Sequence, residues 1–266
     1  MPGSLQADCA RCFGFCCVVP AFSASVDFAI DKAAGQPCPN LAPDSRCSIH
    51  SELRPRGFRG CTVYDCFGAG QQVAQVTFGG RDWRSHPGTA GQMFAVFPIM
   101  RHLHELLWYL VAALALPAAR PLEQELRHAA TGTELLTRQS ADELTQLDVD
   151  HHRAEINGLL VSASELARAA VPGPRPDYRG ADLIAAGMAD ADLRGANLRG
   201  ARLIGAQLRR ADLGLADLTG ADLRDTDLRG ADLAESLFLT QAQLDSALGD
   251  ADTRLPAALS RPAHWS

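Results

Sequence analysis

The spacing of apolar residues changes character along the chain. Between Pro176 and Thr240 a large apolar residue recurs at every fifth position. Read in fives, the stretch runs PDYRG, ADLIA, AGMAD, ADLRG, ANLRG, ARLIG, AQLRR, ADLGL, ADLTG, ADLRD, TDLRG, ADLAE, SLFLT. Twelve of the thirteen blocks begin with Ala, Ser or Thr, and ten have Leu at the centre. The remaining centres are Tyr178, Met188 and Phe238. Neither a helix nor a strand has period five, so the stretch is a repeat whose units bury their apolar side only against one another. A small first residue and a large central one can both point inward, and the other three positions then face water.

Upstream, over 69–175, the pattern is helical. Leu103, Leu106, Leu107, Leu110 and Leu114 recur at helical spacing. Pro98 suits the first turn of that helix, and Pro121 opens a second. Ser140-Ala-Asp-Glu143 is a capping box that starts a helical run towards Ala170. Ser162-Ala-Ser-Glu165 repeats the signal after Gly158, which divides the run into two helices there. Leu106–Ala119 is fourteen residues without a charge. A bilayer span needs about twenty, so this is a buried helix and not a membrane anchor. Its apolar face can dock on the repeat or on a second copy of the chain, which makes a homodimer one expected assembly.

After the repeat, Thr240-Gln-Ala-Gln243 is a second capping box. Leu244 and Leu248 share a helix face, and Gly249 suits the helix stop. This helix closes one open end of the repeat, where backbone groups would otherwise be unpaired. The helical middle covers the other end, across a stiff joint at Pro172, Pro174 and Pro176. Trp265 packs the tail.

Residues 1–68 have no apolar period. Gly14, Pro20, Gly35, Pro37, Pro39, Pro43, Pro55, Gly57 and Gly60 interrupt any long element. All eight cysteines lie here: Cys9, Cys12, Cys16, Cys17, Cys38, Cys47, Cys61 and Cys66. The first four read C-x2-C-x3-C-C, and Cys47 with His50 reads C-x2-H. A C-x2-C turn lets two thiolates face one cation at about 2.3 Å. A segment with so little core needs a staple, and a metal serves where disulfides are disfavoured. Spacing does not separate zinc from iron, an iron–sulfur centre included, nor one site from two. A redox dithiol and ordinary buried thiols are the alternatives. His102 and His104 point to different helix faces. His151 with Glu155, and Asp148 with His152, have metal-compatible spacing, but a solvated polar face accounts for them. No nucleophile, base and orienting group come together, so nothing points to an enzyme. The G-A-G-Q at 68–71 lacks the ending of a phosphate loop, and its glycines read as turns.

Two resemblances follow from these motifs. The A-D/N-L-x-x register resembles the pentapeptide-repeat family, as does the LTQAQLDSALGDADTRLP…RPAHW ending. That resemblance implies a right-handed quadrilateral β-helix with four blocks per coil, a little over three coils here. CARCFGFCC, CPNL, RCSIH and GCTVYDC resemble a cysteine-rich family described as zinc- or iron-chelating, although RGFRG intervenes between Arg54-Pro55 and Cys61. The second resemblance implies metal ligands among Cys9, Cys12, Cys16, Cys17, Cys38, Cys47, His50, Cys61 and Cys66. The fold class is therefore mixed: a cysteine-rich loop and helical module (1–68), a helical region (69–175), the β-helix (176–240) and a capping helix with tail (241–266).

With four blocks per coil, residues twenty apart stack about 4.8 Å apart. Asp192, Asp212 and Asp232 form one column; Asp182, Arg202 and Asp222 another; Arg209 pairs with Arg229. The Asp column needs compensation from Arg194 and other arginines. An Asp212→Lys change is then expected to raise thermal stability or leave it unchanged.

Charge narrows the function. The 266 residues carry 25 basic and 31 acidic side chains, a net charge of −6, and Lys32 is the sole lysine. That is no nucleic-acid-binding footprint. The start of the chain shows no secretory signal, so a cytoplasmic location is expected. Some pentapeptide-repeat proteins mimic DNA and bind type II topoisomerases. Here ten Asp and one Glu face eight Arg over 176–240, a net charge of −3, and three coils span only about 15 Å. The expected role is a non-enzymatic scaffold for a protein partner carrying a zinc or iron site. An iron- or thiol-dependent redox or maturation factor is the alternative.

Overall fold

The computed structural model describes residues 5–265; residues 1–4 and 266, at the ends of the first and last of the four segments, lie outside the described residues. The chain forms two compact units. One runs to Val111 and takes in Glu123–Leu159; the other comprises Ala112–Leu122 and the chain from Leu160 onward.

In the first unit, the cysteine-rich stretch contains only short elements. These are the 3-10 turns Cys9–Arg11, His50–Glu52 and Arg59–Cys61 and the single helical turn α1 (Phe15–Val18). Two antiparallel bridges, Phe22 with Lys32 and Leu41 with Cys47, pin its loops. Of the glycines in the G-A-G-Q at 68–71, Gly68 is the turn expected of it and Gly70 is helical. Gly68 adopts φ +80°, and α2 (Ala69–Gln71) follows and runs into a π-helical turn, Gln72–Thr77. The apolar residues Ala69, Val73 and Ala74 share a core with Phe15 of α1 and with Met93, Val96, Phe97, Met100 and Leu103 of α3 (Pro87–Leu114). Phe15 stacks on Phe97 with ring centroids 5.3 Å apart. Phe15 thus anchors the cysteine segment in this core.

Pro98 lies inside α3, not in its first turn; the helix starts at Pro87. An interior proline forfeits one backbone hydrogen bond and costs about 3 kcal/mol. The full burial of Met93, Val96, Met100, Leu103 and Leu110 along this helix offsets it. The second helix is α4 (Glu123–Leu136), preceded by a 3-10 segment, Pro117–Leu122. The Ser140 capping box forms, with both hydrogen bonds made, and starts α5 (Ala141–Thr145). The next break falls at residues 146–148 rather than at Gly158: α6 runs unbroken over Val149–Arg168. Asp148 starts it by accepting the His151 N–H. Buried Ile156, Leu160, Ala163 and Ala167 carry the helix past Gly158. Among the described residues, no single helix is long and apolar enough to cross a membrane.

The second unit contains the repeat. Single parallel bridges link Asp177–Asn197–Asp217–Leu237, Asp182–Arg202–Asp222, Gly187–Gln207–Asp227–Leu248 and Asp192–Asp212–Asp232–Arg254. These four columns are the four sides of a β-helix. The chain turns after each block, so each side supplies one ladder residue and no extended strand forms among the described residues. The central leucines from Leu193 to Leu233 and the alanines Ala196 to Ala216 are almost wholly buried. In the first coil Tyr178, Leu183 and Met188 pack on this core but stay only partly buried.

Two local devices shape each corner. The Asp or Asn at the second position is not simply solvated. In nine blocks its side chain accepts the N–H two residues on, at 2.9–3.3 Å, as in Asp212 to Gly214 and Asp217 to Thr219. The fifth position is left-handed in eleven consecutive blocks, from Gly180 to Gly230. Six of these are glycine, which takes this conformation without strain; Ala185, Asp190, Arg210, Leu215 and Asp225 take it against their preference.

The predicted columns are present, and arginines offset the aspartates. Arg194 lies 2.7 Å from Asp192 and 3.7 Å from Asp212, and Arg254 pairs with Asp232. Arg209 and Arg229 both grip the buried Asp227, at 2.5 and 2.6 Å. Arg199 and Asp217 form a buried pair at 3.0 Å.

At the far end, Thr240 caps α7 (Gln241–Ser246) in a full capping box. Gln243 also donates to the carbonyls of Leu218 and Ala221, so this helix satisfies the ladder it covers. Three tail details differ from expectation. Leu239, not Phe238, joins the leucine stack, because the five-residue rhythm ends as the chain turns into the cap. Leu248 lies beyond α7 and bridges Asp227. Gly249 does not stop the helix; a side chain there would meet the Trp265 ring at 2.3 Å. Trp265 is buried as expected, and its indole donates to the Ala247 carbonyl.

Candidate functional site

The nine predicted ligands come from five short pieces of the first unit. Cys9 opens a 3-10 turn whose N-cap, Asp8, accepts the Ala10 N–H. Phe13 (φ 53°) and Gly14 (φ 72°) then reverse the chain. That reversal lets Phe15 and Val18 of α1 point into the core while Cys16 stays exposed and Cys17 half-buried. Cys38 is buried, and its N–H donates to the Cys17 carbonyl. Cys47 is held by its bridge to Leu41. His50 is exposed at the start of its turn. Cys61 ends the Arg59–Cys61 turn, and Cys66 lies just before α2. All eight thiols are free.

The thiols gather without converging. Cys16 and Cys17 have their sulfurs 4.0 Å apart. Among the described residues, no three His, Cys, Asp or Glu side chains meet in an arrangement that holds a metal. The chemistry of the set is nevertheless that of thiolate ligands. Nearby backbone N–H groups favour the charged form at three of them: that of Gly14 at Cys12, of Ile49 at Cys47, and of Gly68 and Gly70 at Cys66. Each such donor favours the charged sulfur over the neutral thiol. Burial opposes them: it pushes Cys66 up to about 11 and raises Cys47. Burial, with the nearby sulfurs of Cys16, Cys38 and Cys47, takes Cys61 to about 12. The Cys12 thiol donates to the Cys9 carbonyl at 3.8 Å, and the interaction of the two thiols lowers Cys9 and raises Cys12. Neutral thiols clustered under these donors are the form that a soft cation converts to thiolate, with release of protons.

Three features of this site were not read from the sequence. Gly70 has Cys12 against it, so that a side chain there would sit 2.7 Å from the cysteine Cβ. Gln71 and Gln75 clamp the N-terminal strand of backbone, donating to Gln6 and Arg11 at 2.6 and 2.8 Å. Lys32 is buried, with its ammonium on the carbonyls of Val18, Ala33 and Gln36 at 2.9–3.1 Å. The GAGQ and the lone lysine were the available signals.

The histidines elsewhere are structural. His104 is buried and bonds the Phe67 carbonyl at 2.8 Å. His152 bonds Thr133 at 2.9 Å, and His151 faces Glu155 at 3.5 Å on an exposed surface.

Comparison with known proteins bears on both units. The family model described as pentapeptide repeats matches residues 179–214 and 211–247, with eight copies of the repeat. The protein YybG of Bacillus subtilis strain 168, described as uncharacterized, is 58% identical over 264 residues, 98% of this chain and 95% of its own length. Among solved structures, a pentapeptide repeat protein from the thylakoid lumen of Arabidopsis thaliana is 33% identical. It covers 33% of this chain and 55% of its own, with a TM-score of 0.24. One from the cyanobacterium Cyanothece is 27% identical over 34% of this chain and 57% of its own, with a TM-score of 0.15. The chain thus spans little more than half the length of these solved proteins. With the repeat matched by its family and the whole length matched by a close relative, this chain belongs to the pentapeptide-repeat family.

Proposed function

We propose that the protein is a non-enzymatic scaffold for a protein partner in the cytoplasm, with a zinc or iron ion held by cysteines of its first unit. The observation that carries the metal is the gathering of eight free thiols in one loop-rich segment, four of them around one small cavity. The cysteines, with His50 at the edge of the group, are the residues that would hold the ion. The scaffold role is supported by the repeat itself, whose Arg–Asp pairs and buried leucines make a rigid, self-satisfied surface.

Elemental analysis of the chain purified with and without air, together with a thiol count, tests this reading. Metal bound in at least one preparation supports it. No metal in either, with eight free thiols, removes it. A pull-down with the full chain then seeks the partner.

A redox or maturation role is the second reading, favoured by the Cys9–Cys12 pair in which one thiol is lowered and the other raised. Visible charge-transfer absorbance from iron and sulfide would support it, and a colourless zinc protein would count against it. The DNA-mimic reading is weakly supported, because the aspartate column is covered by Arg194 and Arg254. No effect on topoisomerase supercoiling at high protein concentration would remove it.

A further inference from the structure

The side of the β-helix that carries Asp212, Asp232 and Arg254 borders a groove of about 530 Å³. That volume falls among those of ligand pockets, about 300–1,000 Å³. The lining lies wholly in the second unit. One wall is the chain leaving α6, at Ala170, Val171 and Pro172. Gly195 lets this wall approach closely: a Cβ there would meet Val171 at 3.0 Å. Arg168 fixes the approach by donating to the Gly195 carbonyl at 2.8 Å. The floor is cleared by the sequence. Arg194 holds the fourth position of its block, but the same position one and two coils on is Gly214 and Ala234, so long side chains are absent there. Beside them Leu215 lines the groove with φ 57°. It is the one large apolar residue among the eleven left-handed fifth positions.

The charges along the groove do not balance. Arg194 is held by both oxygens of Asp192, at 2.7 and 2.9 Å, and lies 3.7 Å from Asp212. Arg254 pairs with Asp232. Asp212 is therefore only partly compensated, and the exposed Glu235 pairs with no cation among the described residues. From this shape and charge we propose that the groove docks an extended segment of the protein partner, in which basic and apolar side chains alternate. The inference rests on the scaffold reading above and adds to it the surface used and the chemistry of what it holds. The lining passes from Arg194 through Gly214 and Ala234 to Arg254, three steps of the ladder and about 14 Å. An extended chain rises about 3.3 Å per residue, so about four residues fit. Its successive side chains point to opposite sides, which lets one segment meet the apolar wall and the carboxylates together. A cation near Asp212 and Glu235 supplies the charge that Arg194 and Arg254 leave short, whereas an acidic segment would be repelled. Because the wall is pinned at Gly195, little of this chain has to be ordered on docking.

The test uses the full chain and two short, end-capped, dye-labelled peptides, one alternating Arg with Val and the other Glu with Val. Fluorescence anisotropy is expected to show binding of the Arg peptide and none of the Glu peptide. Asp212→Asn combined with Glu235→Gln should weaken the Arg peptide by about tenfold. Glu125→Gln combined with Asp150→Asn removes the same charge from exposed positions of the first unit and should leave the affinity unchanged. Gly214→Val, which puts a side chain on the floor, should also weaken binding. Because that variant can disturb its coil, the methyl NMR signals of Leu215 in the unaltered chain give a second readout, and the Arg peptide is expected to shift them. Equal weakening by the two double variants, or Leu215 signals unmoved by bound peptide, would show attraction to net charge alone and overturn the groove. Failure of the Arg peptide to bind would overturn it too. Neither failure removes the scaffold role, which falls only if the full-chain pull-down yields no partner.

Discussion

The β-helix and the cysteine segment both lack long strands and helices, yet they are held together by opposite means. In the β-helix every block does the same work at the same position. Leu fills the centre, Asp or Asn ties the corner, and the fifth residue turns the chain. In the cysteine segment hardly any position repeats. Its order comes from single contacts: Phe15 on Phe97, Gly70 under Cys12, and Lys32 on three carbonyls. Redundancy makes the first robust to loss of one side-chain contact, and its absence makes the second depend on each contact. Substitutions tell the two apart.

The largest effect is expected where the β-helix departs from its own redundancy, at the buried Arg199–Asp217 pair. Asp217→Ala takes the carboxylate away from a buried guanidinium and should cost about 3–5 kcal/mol, read by urea unfolding followed at Trp265. A loss under 1 kcal/mol would mean that the pair is dispensable. Next comes Gly70→Val, which drives a side chain into Cys12 and should cost about 1–3 kcal/mol. Its signature is a drop in stability reported by Trp83 near the cysteine segment, with the Trp265 transition unmoved. Movement of both would show that the two regions do not fail separately.

A smaller and graded effect is expected in acid. Arg194 holds Asp192 at about 2, Arg210 and Arg224 lower Asp190 and Asp222, and Arg229 with Arg209 lowers Asp227 further. Burial opposes the shift at Asp222. These folded-state values lie below the unfolded value of about 3.9. The stabilisation is therefore complete above pH 4 and is lost as the pH falls through the lowered values. The Tm should hold from pH 7 to pH 5 and decline from pH 4 to pH 2, less steeply in high salt. A Tm at pH 2 equal to that at pH 7 would show the ion-pair columns to be neutral. The smallest effect, and a gain, is expected from Ala185→Gly at an exposed left-handed position. Relief of the strain should add about 0.5–1 kcal/mol in thermal unfolding. A loss would mean that the alanine makes contacts that outweigh its backbone.

The two regions also differ in how far they could be read in advance. Ala196 through Leu233 were assignable to the core, and the columns to their partners, because a period records the packing thirteen times over. The capping boxes at Ser140 and Thr240 were legible because their chemistry is local. The left-handed fifth position was missed because only six of its eleven residues are glycine. Leu239 taking the place of Phe238 was missed because a repeat does not announce where it stops. In the cysteine segment the ligand types were plain, but their grouping was not. Nothing in the spacing tells that Cys16 is exposed and Cys17 half-buried on the same turn of α1, with their sulfurs 4.0 Å apart. Likewise Pro98 looked like a helix start because the burial that sustains α3 through it is a tertiary effect.

The four-sided ladder also restricts how this chain can change length. Asp192 bridges Asp212, and that bridges Asp232, each twenty residues on. Duplicating one whole coil would lengthen the column and leave the cap on its own side. Duplicating one block of five would turn everything downstream by a quarter, and α7 would then cover the wrong carbonyls. In the last coil the intervals stretch to twenty-one for Asp227–Leu248 and twenty-two for Asp232–Arg254. With that drift no further coil could stack in register, so the array carries its own terminator and its length is counted in whole turns.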